Sequence, residues 1–404
     1  MKALMYGGGN IGRGFISYLF SASGYQVQIV DVVDSVIDAL NRDHSYPIRI
    51  LEGETHRDIR VENVSAVDGK NPEAVAEAIA EADVMATAVG VNVLKFIIPN
   101  IVLGLKKRKE RGLGAFNIII CENLMDANKV IEGMIKEHLT EEECAWFDEN
   151  VGLVEASIGR MVPVQTDEMK DGDPLRVCVE KYGFLPVDKD AFKGEIPEIR
   201  GMVPFSPFDF YLKRKLYVHN MGHATCAYLG GLLGLEYIYE AIDRDEIYLI
   251  VRGAMEESAR ALSKKYGVPL EEILLHVTDL LGRFTNAALR DTVARVGGDP
   301  ARKLKPDDRL IGSSRLAMEV GVLPAYIAIG AAAGLYRYLN EVDGVSQCPE
   351  DAAKVLREHS ALSEDERLYS LILDFYKLLL SGCNLASLRR KADAIVAAEL
   401  CDVI

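Results

Sequence analysis

In the first part of the chain, short apolar runs alternate with longer stretches of helical spacing. The runs at 2–6 (KALMY), 26–30 (QVQIV), 46–51 (YPIRIL), 59–67 (IRVENVSAV), 84–89 (VMATAV), 116–120 (FNIII) and 151–157 (VGLVEAS) are short and rich in Val, Ile and Leu, so they predict strands. Segments 13–22, 33–41, 72–81 and 95–111 read as helices between them. Residues 170–200 are rich in Asp, Glu, Lys, Pro and Gly, and predict loops, edge strands and a domain boundary. After Pro207 the period becomes helical: 208–233, 243–266, 270–283, short helices between 291 and 323, then 326–339, 351–358, 364–382 and 385–401. Strands and helices first and helices alone afterwards predict an α/β domain over 1–200 and an all-α domain over 201–404.

The turn after the first strand reads Gly7-Gly8-Gly9-Asn10-Ile11-Gly12. A G-x-G-x-x-G between a strand and a helix is the fingerprint of a Rossmann-type dinucleotide site. Gly7 permits the tight turn, Gly9 lets the backbone approach a pyrophosphate, and Gly12 lets helix and strand pack closely. The phosphates would lie on the helix N-terminus, beside Asn10 and Ile11. Asp31 ends the second strand, where an acid accepts from the ribose hydroxyls of NAD and repels the 2′-phosphate of NADP. In such a sheet the strand ends line the ligand crevice, which makes Thr87, Val89 and Asn92 candidate cofactor neighbours. Asn123 follows the 116–120 strand and points to the same crevice, or else caps a helix starting at Leu124.

The chain has 404 residues and a formal net charge of −15. That acidity disfavours nucleic acid and anionic membranes as partners, so any anionic substrate needs a local concentration of basic groups. Seven scattered cysteines, none in CxxC spacing, argue against a disulfide framework and a cysteine zinc site and suit the cytoplasm. No apolar run is long enough to span a bilayer, and the apolar start of MKALMYGGGNIG breaks at glycine too soon for a secretory leader.

Two places concentrate basic chemistry. Residues 211–228 (YLKRKLYVHNMGHATCAY) predict a largely buried helix that nevertheless carries Lys213, Arg214, Lys215, His219, Asn220 and His223. On an α-helix Lys215, His219 and His223 share one face. A lysine among cations and apolar walls has its charged form disfavoured, as a general base requires. Asn220 can donate to an oxygen gaining negative charge, and His223 can orient the base. A solvated helix end with satisfied core histidines is the alternative. His219 and His223 also stand at zinc-pair spacing, but without a metalloprotease glutamate between them, and no metal is expected. The second place is Arg295 to Lys303 (RVGGDPARK), followed by Arg309. Arg295, Arg302 and Lys303 could hold a carboxylate or a phosphate, or could be salt-bridged to Asp299, Asp307 and Asp308.

The start MKALMYGGGNIGRGF, the block Lys215-x4-Asn220-x2-His223 and the run RFTNAALRDTVARVGGDPARKL together resemble the polyol-specific long-chain dehydrogenases. The resemblance covers most of the chain, and its length suits the branch acting on mannitol 1-phosphate, the other branches being typically longer. It implies zinc-independent hydride transfer with NAD, Lys215 as general base, and Asn220 and Asn123 on the substrate oxygen. It further implies His223 on a substrate hydroxyl, and Arg295 and Lys303 at substrate-binding spacing. The expected substrate is a polyol phosphate, interconverted with fructose 6-phosphate; a hexuronate or an unphosphorylated polyol is the alternative, as is a regulatory protein with a decayed site. One departure stands out: the family's V-D-R-I-x-P reads Ile158-Gly159-Arg160-Met161-Val162-Pro163 here. Gly159 takes the place of an aspartate, and Arg160 remains as a substrate or domain-interface contact.

Overall fold

A computed structural model describes residues 1–53, 55–124, 126–341 and 346–401. The chain divides into two compact units, Met1–Asp209 and Phe210–Ile404.

The first unit is built on β1 (Lys2–Tyr6), β2 (Gln26–Asp31), β3 (Ser45–Glu52), β4 (Thr55–Glu62), β5 (Val64–Asp68), β6 (Val84–Thr87), β7 (Phe116–Ile120), β8 (Val151–Glu155), β9 (Val177–Glu180), β10 (Leu185–Asp188) and β11 (Met202–Phe205). Six of these form a parallel sheet in the order β5-β2-β1-β6-β7-β8. The continuous apolar character of the strands follows from burial on both faces. Ala3 and Met5 of β1 enter one core while Leu4 and Tyr6 enter the other, and on β7 Ile119 opposes Phe116, Ile118 and Ile120. The strand order reverses between β1 and β6, which opens a crevice at the C-terminal ends of these strands.

The run 59–67, expected as one strand, is two. Asn63 adopts a left-handed φ of 57° and ends β4, so β5 can join the main sheet beside β2. β4 instead folds back on β3 as a hairpin turned at Gly53, and β9 pairs with β3 from the far side. The segment 170–200 is therefore more ordered than its composition suggests, since it supplies β9 and β10.

The second unit is helical. Its long members are Met221–Leu232, Asp245–Tyr266, Leu270–Phe284, Ala325–Glu341, Pro349–Glu358, Arg367–Leu380 and Leu385–Cys401. Met221–Leu232 lies at the centre, and small residues let its neighbours close on it. A side chain at Gly222 would come within 2.6 Å of Met255 Sδ, and one at Gly330 would collide with Thr225. No described helix is long and apolar enough to cross a membrane.

The expected continuous α-helix over 208–233 is interrupted. It runs as Asp209–Lys213, then as a π-helical stretch Arg214–Asn220, then as Met221–Leu232. A shorter π-helical turn, Gly12–Ile16, also opens the helix after the glycine loop. Both turns fall beside candidate functional residues, where such widened turns concentrate.

Candidate active site

In the first unit, the turn after β1 is fixed by its neighbours. Gly7 has φ 106°, and a side chain there would lie 2.6 Å from Ala88 O. A side chain at Gly12 would collide with the Gly7 carbonyl, so loop and helix can meet only at glycine. Gly9 differs: nothing lies within 4 Å of where its Cβ would be. Gly9 and Asn10 are exposed and Ile11 half-buried at the helix N-terminus, leaving an open cradle of the kind a pyrophosphate needs.

Asp31 stands next to this loop. Its Oδ1 accepts from the amides of Val32 (2.7 Å) and Val33 (2.9 Å), and its Oδ2 fills the space a side chain at Gly8 would take. The carboxylate is thus oriented before any ligand arrives. Val32 and Val33 expose apolar surface beside it. The fit to a dinucleotide is therefore good on three counts: cradle, oriented acid and an apolar shelf.

At the crevice side of β6, Thr87 is fully buried, and its hydroxyl has no hydrogen-bond partner. Val89 is half-buried and Asn92 exposed. Sequence reading missed the residue that holds this turn. Glu122 is 8% exposed, and its carboxylate accepts from Val89 N (2.9 Å) and Gly90 N (2.8 Å). Its only mark in the sequence is an acid two residues past a buried strand. Asn123 is exposed. It does not cap a helix, because the next one is Ala127–Lys136 with Asp126 at its N-cap.

Arg160 is buried and donates to Gly14 O (2.7 Å) and Glu180 O (3.1 Å), with its guanidinium over the Phe15 ring. At Gly159 a side chain would come within 2.9 Å of the Tyr182 hydroxyl. Tyr182 occupies the space an aspartate would need, so the departure at 159 has a steric counterpart.

In the second unit, the wide turn sorts the polar residues of 211–228. Lys215, Asn220 and His223 stay partly exposed, while His219 is 6% exposed. Although the turn is π-helical, His219 and His223 remain neighbours with ring centroids 6.0 Å apart, and it is His219 that lies in the core. Burial pushes its pKa well below the usual range, and the charges of Arg283, His223, His276 and Lys215 push the same way, so His219 is neutral. The turn is anchored by Ser258, whose hydroxyl donates to Tyr217 O at 2.7 Å. The His223 ring stacks on Phe284, with centroids 4.7 Å apart and planes 13° apart.

Asp291 is a second residue that sequence reading missed. Its Oδ2 lies 3.2 Å from His223 Nε2, at an angle too poor for a full hydrogen bond. Its Oδ1 accepts from Arg295 Nε (2.8 Å) and forms an ion pair with Nη2 (2.5 Å). Burial acts to raise the Asp291 pKa, but the contact with His223 and the charges of His223 and Arg295 outweigh it and hold the carboxyl below its usual range.

The basic run 295–309 is extensively paired. Arg302 meets Asp299 at 3.0 Å and Arg309 meets Asp308 at 2.8 Å, while Arg295 remains 57% exposed. Lys303 is 4% exposed and donates to the Gly298 carbonyl. Burial, then the charges of Arg309 and Arg302, lower its pKa to about 8. As the helical period of 291–323 leads one to expect, the stretch forms short helices, Val293–Gly297 and Pro300–Lys303, capped by Thr292 and Asp299.

Residues 1–201 match the mannitol dehydrogenase Rossmann domain, and residues 208–375 match the mannitol dehydrogenase C-terminal domain. The fold is similar to that of mannitol 2-dehydrogenase from Pseudomonas fluorescens, solved as a ternary complex with NAD and D-mannitol. That likeness has a TM-score of 0.74 at 16% identity and covers 97% of this chain and 94% of that one. It is also similar to a D-sorbitol dehydrogenase solved in substrate-free form, with a TM-score of 0.79 at 15% identity over 96% of this chain and 95% of that one. With both of its units matched, the chain belongs to the mannitol dehydrogenase family.

Proposed function

We propose that the protein is an NAD-dependent polyol dehydrogenase that interconverts mannitol 1-phosphate and fructose 6-phosphate. The observation that carries this reading is the polar face left accessible on a buried helix: Lys215, Asn220 and His223 remain open while His219 turns inward and loses its charge. NAD, when bound, supplies the hydride acceptor. The glycine cradle holds its pyrophosphate, and Asp31 takes the ribose hydroxyls and disfavours a 2′-phosphate.

Lys215 removes the proton from the substrate hydroxyl as the carbonyl forms, and returns it in the reverse direction. Asn220 donates to the same oxygen while it carries negative charge. Asn123, exposed after β7, is the amide that the family pattern also assigns to that oxygen. His223 binds a neighbouring hydroxyl. The phosphate is assigned to the cations of 295–303: Arg295 and Arg302 are accessible to it, and Lys303 adds positive potential from below.

The loss of a carboxylate at Gly159, with Tyr182 in its place, favours keeping a second reading in which the substrate is an unphosphorylated polyol or a hexuronate. Steady-state assays with NAD and NADP over mannitol 1-phosphate, D-mannitol, D-sorbitol and hexuronates separate the two. The reading requires the highest kcat/KM for mannitol 1-phosphate with NAD. A higher value for an unphosphorylated member would replace it, and no turnover of any member would point to a regulatory protein.

A further inference from the structure

We propose that Asp291 is a positioning residue for the substrate-facing side chains of the helical unit: it sets the tautomer of His223 and the aim of Arg295. The inference rests on the reading of His223 and Arg295 as substrate contacts.

The carboxylate divides its two oxygens between two partners. Oδ1 accepts from Nε of Arg295 and sits in ion-pair contact with Nη2, and Oδ2 is left facing the imidazole. The side chain of Asp291 is 11% exposed, while Arg295 is 57% exposed, so the acid is the fixed member and the guanidinium the adjustable one. The backbone of Asp291 is itself pinned. Its carbonyl accepts from Ile238 N at 2.9 Å, and Val293 N donates to Glu236 O at 2.9 Å on the other side of an isolated bridge between Tyr237 and Thr292. Thr292 then caps the short helix that carries Arg295. Phe284 covers one face of the His223 ring and limits its rotation.

An ionised carboxylate can only accept. With Oδ2 3.2 Å from Nε2, the carboxylate favours the tautomer protonated on Nε2, which leaves Nδ1 with its lone pair. That lone pair is the acceptor a substrate hydroxyl requires. Arg295, gripped on its Nε and Nη2 edge, keeps Nη1 for a second oxygen of the ligand. A surface ion pair between Asp291 and Arg295 would account for one oxygen of the carboxylate and leaves the placement of the other beside His223 unexplained.

The test has two readouts on the full chain. Selective ¹⁵N-histidine NMR, with His223 assigned by substitution, reports the tautomer without any substrate. The wild type is expected as Nε2–H, and Asp291→Asn should move population to Nδ1–H. In parallel, reduction of fructose 6-phosphate by NADH should show a KM raised about 10-fold in Asp291→Asn, the worth of one charge-assisted contact, with kcat changed less and NADH affinity unchanged. Asp291→Glu, which restores the charge, should recover part of the loss, and Asp291→Ser, which also removes the carboxylate, stands in if the asparagine variant fails to fold. An Nδ1–H wild type overturns the proposal, as does an Asp291→Asn enzyme with unchanged tautomer and KM. A wild type that leaves fructose 6-phosphate unreduced counts against the substrate reading alone, and the NMR result then decides the role of Asp291.

Discussion

Glu122 offers a test of how the cofactor crevice is held in shape. The perturbation is Glu122→Gln, which keeps the shape of the side chain and changes its hydrogen-bonding capacity. In the native protein one carboxylate oxygen receives Val89 N at 2.9 Å and the other receives Gly90 N at 2.8 Å, in a site only 8% exposed. A glutamine satisfies one of these amides with its carbonyl. Its NH2 group then faces the other N–H, and neither can accept. The loss is one charge-assisted bond and an unpartnered, part-buried amide, which together cost about 1.5–3 kcal/mol. The consequence reaches the cofactor because residues 88–89 form the wall against Gly7, where a side chain would lie 2.6 Å from Ala88 O and 3.0 Å from Val89 Cγ1. Loosening that wall should raise the Kd for NAD about 10-fold, or ~1.4 kcal/mol. Urea unfolding followed by circular dichroism measures the first quantity, and titration calorimetry the second. Glu149→Gln, at an exposed position, is the control and should stay within about 0.5 kcal/mol of wild type. A Glu122→Gln protein as close to wild type as this control, in both stability and NAD affinity, would refute the reasoning.

Asp31→Ala should narrow the ratio of kcat/KM for NAD over NADP, because the oriented carboxylate that repels a 2′-phosphate is gone; a wild-type preference for NADP would show that Asp31 does not meet the ribose. Glu257 predicts a pH dependence. Its buried carboxylate accepts from Tyr326 N and Ile327 N at 3.0 Å, and burial, against those bonds and the Arg260 charge, raises its pKa to about 8 from 4.5. The native state thus holds a proton that the unfolded chain releases above about pH 4.5. This contribution is full at low pH and is lost as pH rises through about 8, at no more than ~1.4 kcal/mol per pH unit. Glu257→Gln should flatten that decline in thermal unfolding, and an unchanged decline would assign it to other groups.

The sheet was legible because its strands bury both faces and so leave continuous apolar runs, and because Gly7, Gly9, Gly12 and Asp31 sit where strand and helix geometry demands them. Where single residues redirect the backbone, the pattern was silent. Asn63 is apolar-run material by context yet adopts a left-handed conformation that splits one expected strand into two in different sheets. The π-helical stretch Arg214–Asn220 leaves no mark in a polar–apolar pattern read at 3.6 residues per turn, so the pattern predicted an unbroken α-helix over 208–233. Glu122 and Asp291 escaped for a different reason. Glu122 acts on amides more than thirty residues away and Asp291 faces His223 from a distant segment, so only the fold brings these partners together.

The central claim is that Lys215 is the general base, and its substitution tests that claim most directly. Lys215→Ala should lower kcat for polyol oxidation about 10²–10⁴-fold, the usual worth of a positioned acid–base group. NAD affinity should hold, since the glycine cradle and Asp31 belong to the other unit. Lys213→Ala should cost far less, because Lys213 lies before the π-helical turn that carries Lys215 and Asn220. A near-normal kcat for Lys215→Ala, or equal losses at Lys213 and Lys215, would contradict the account.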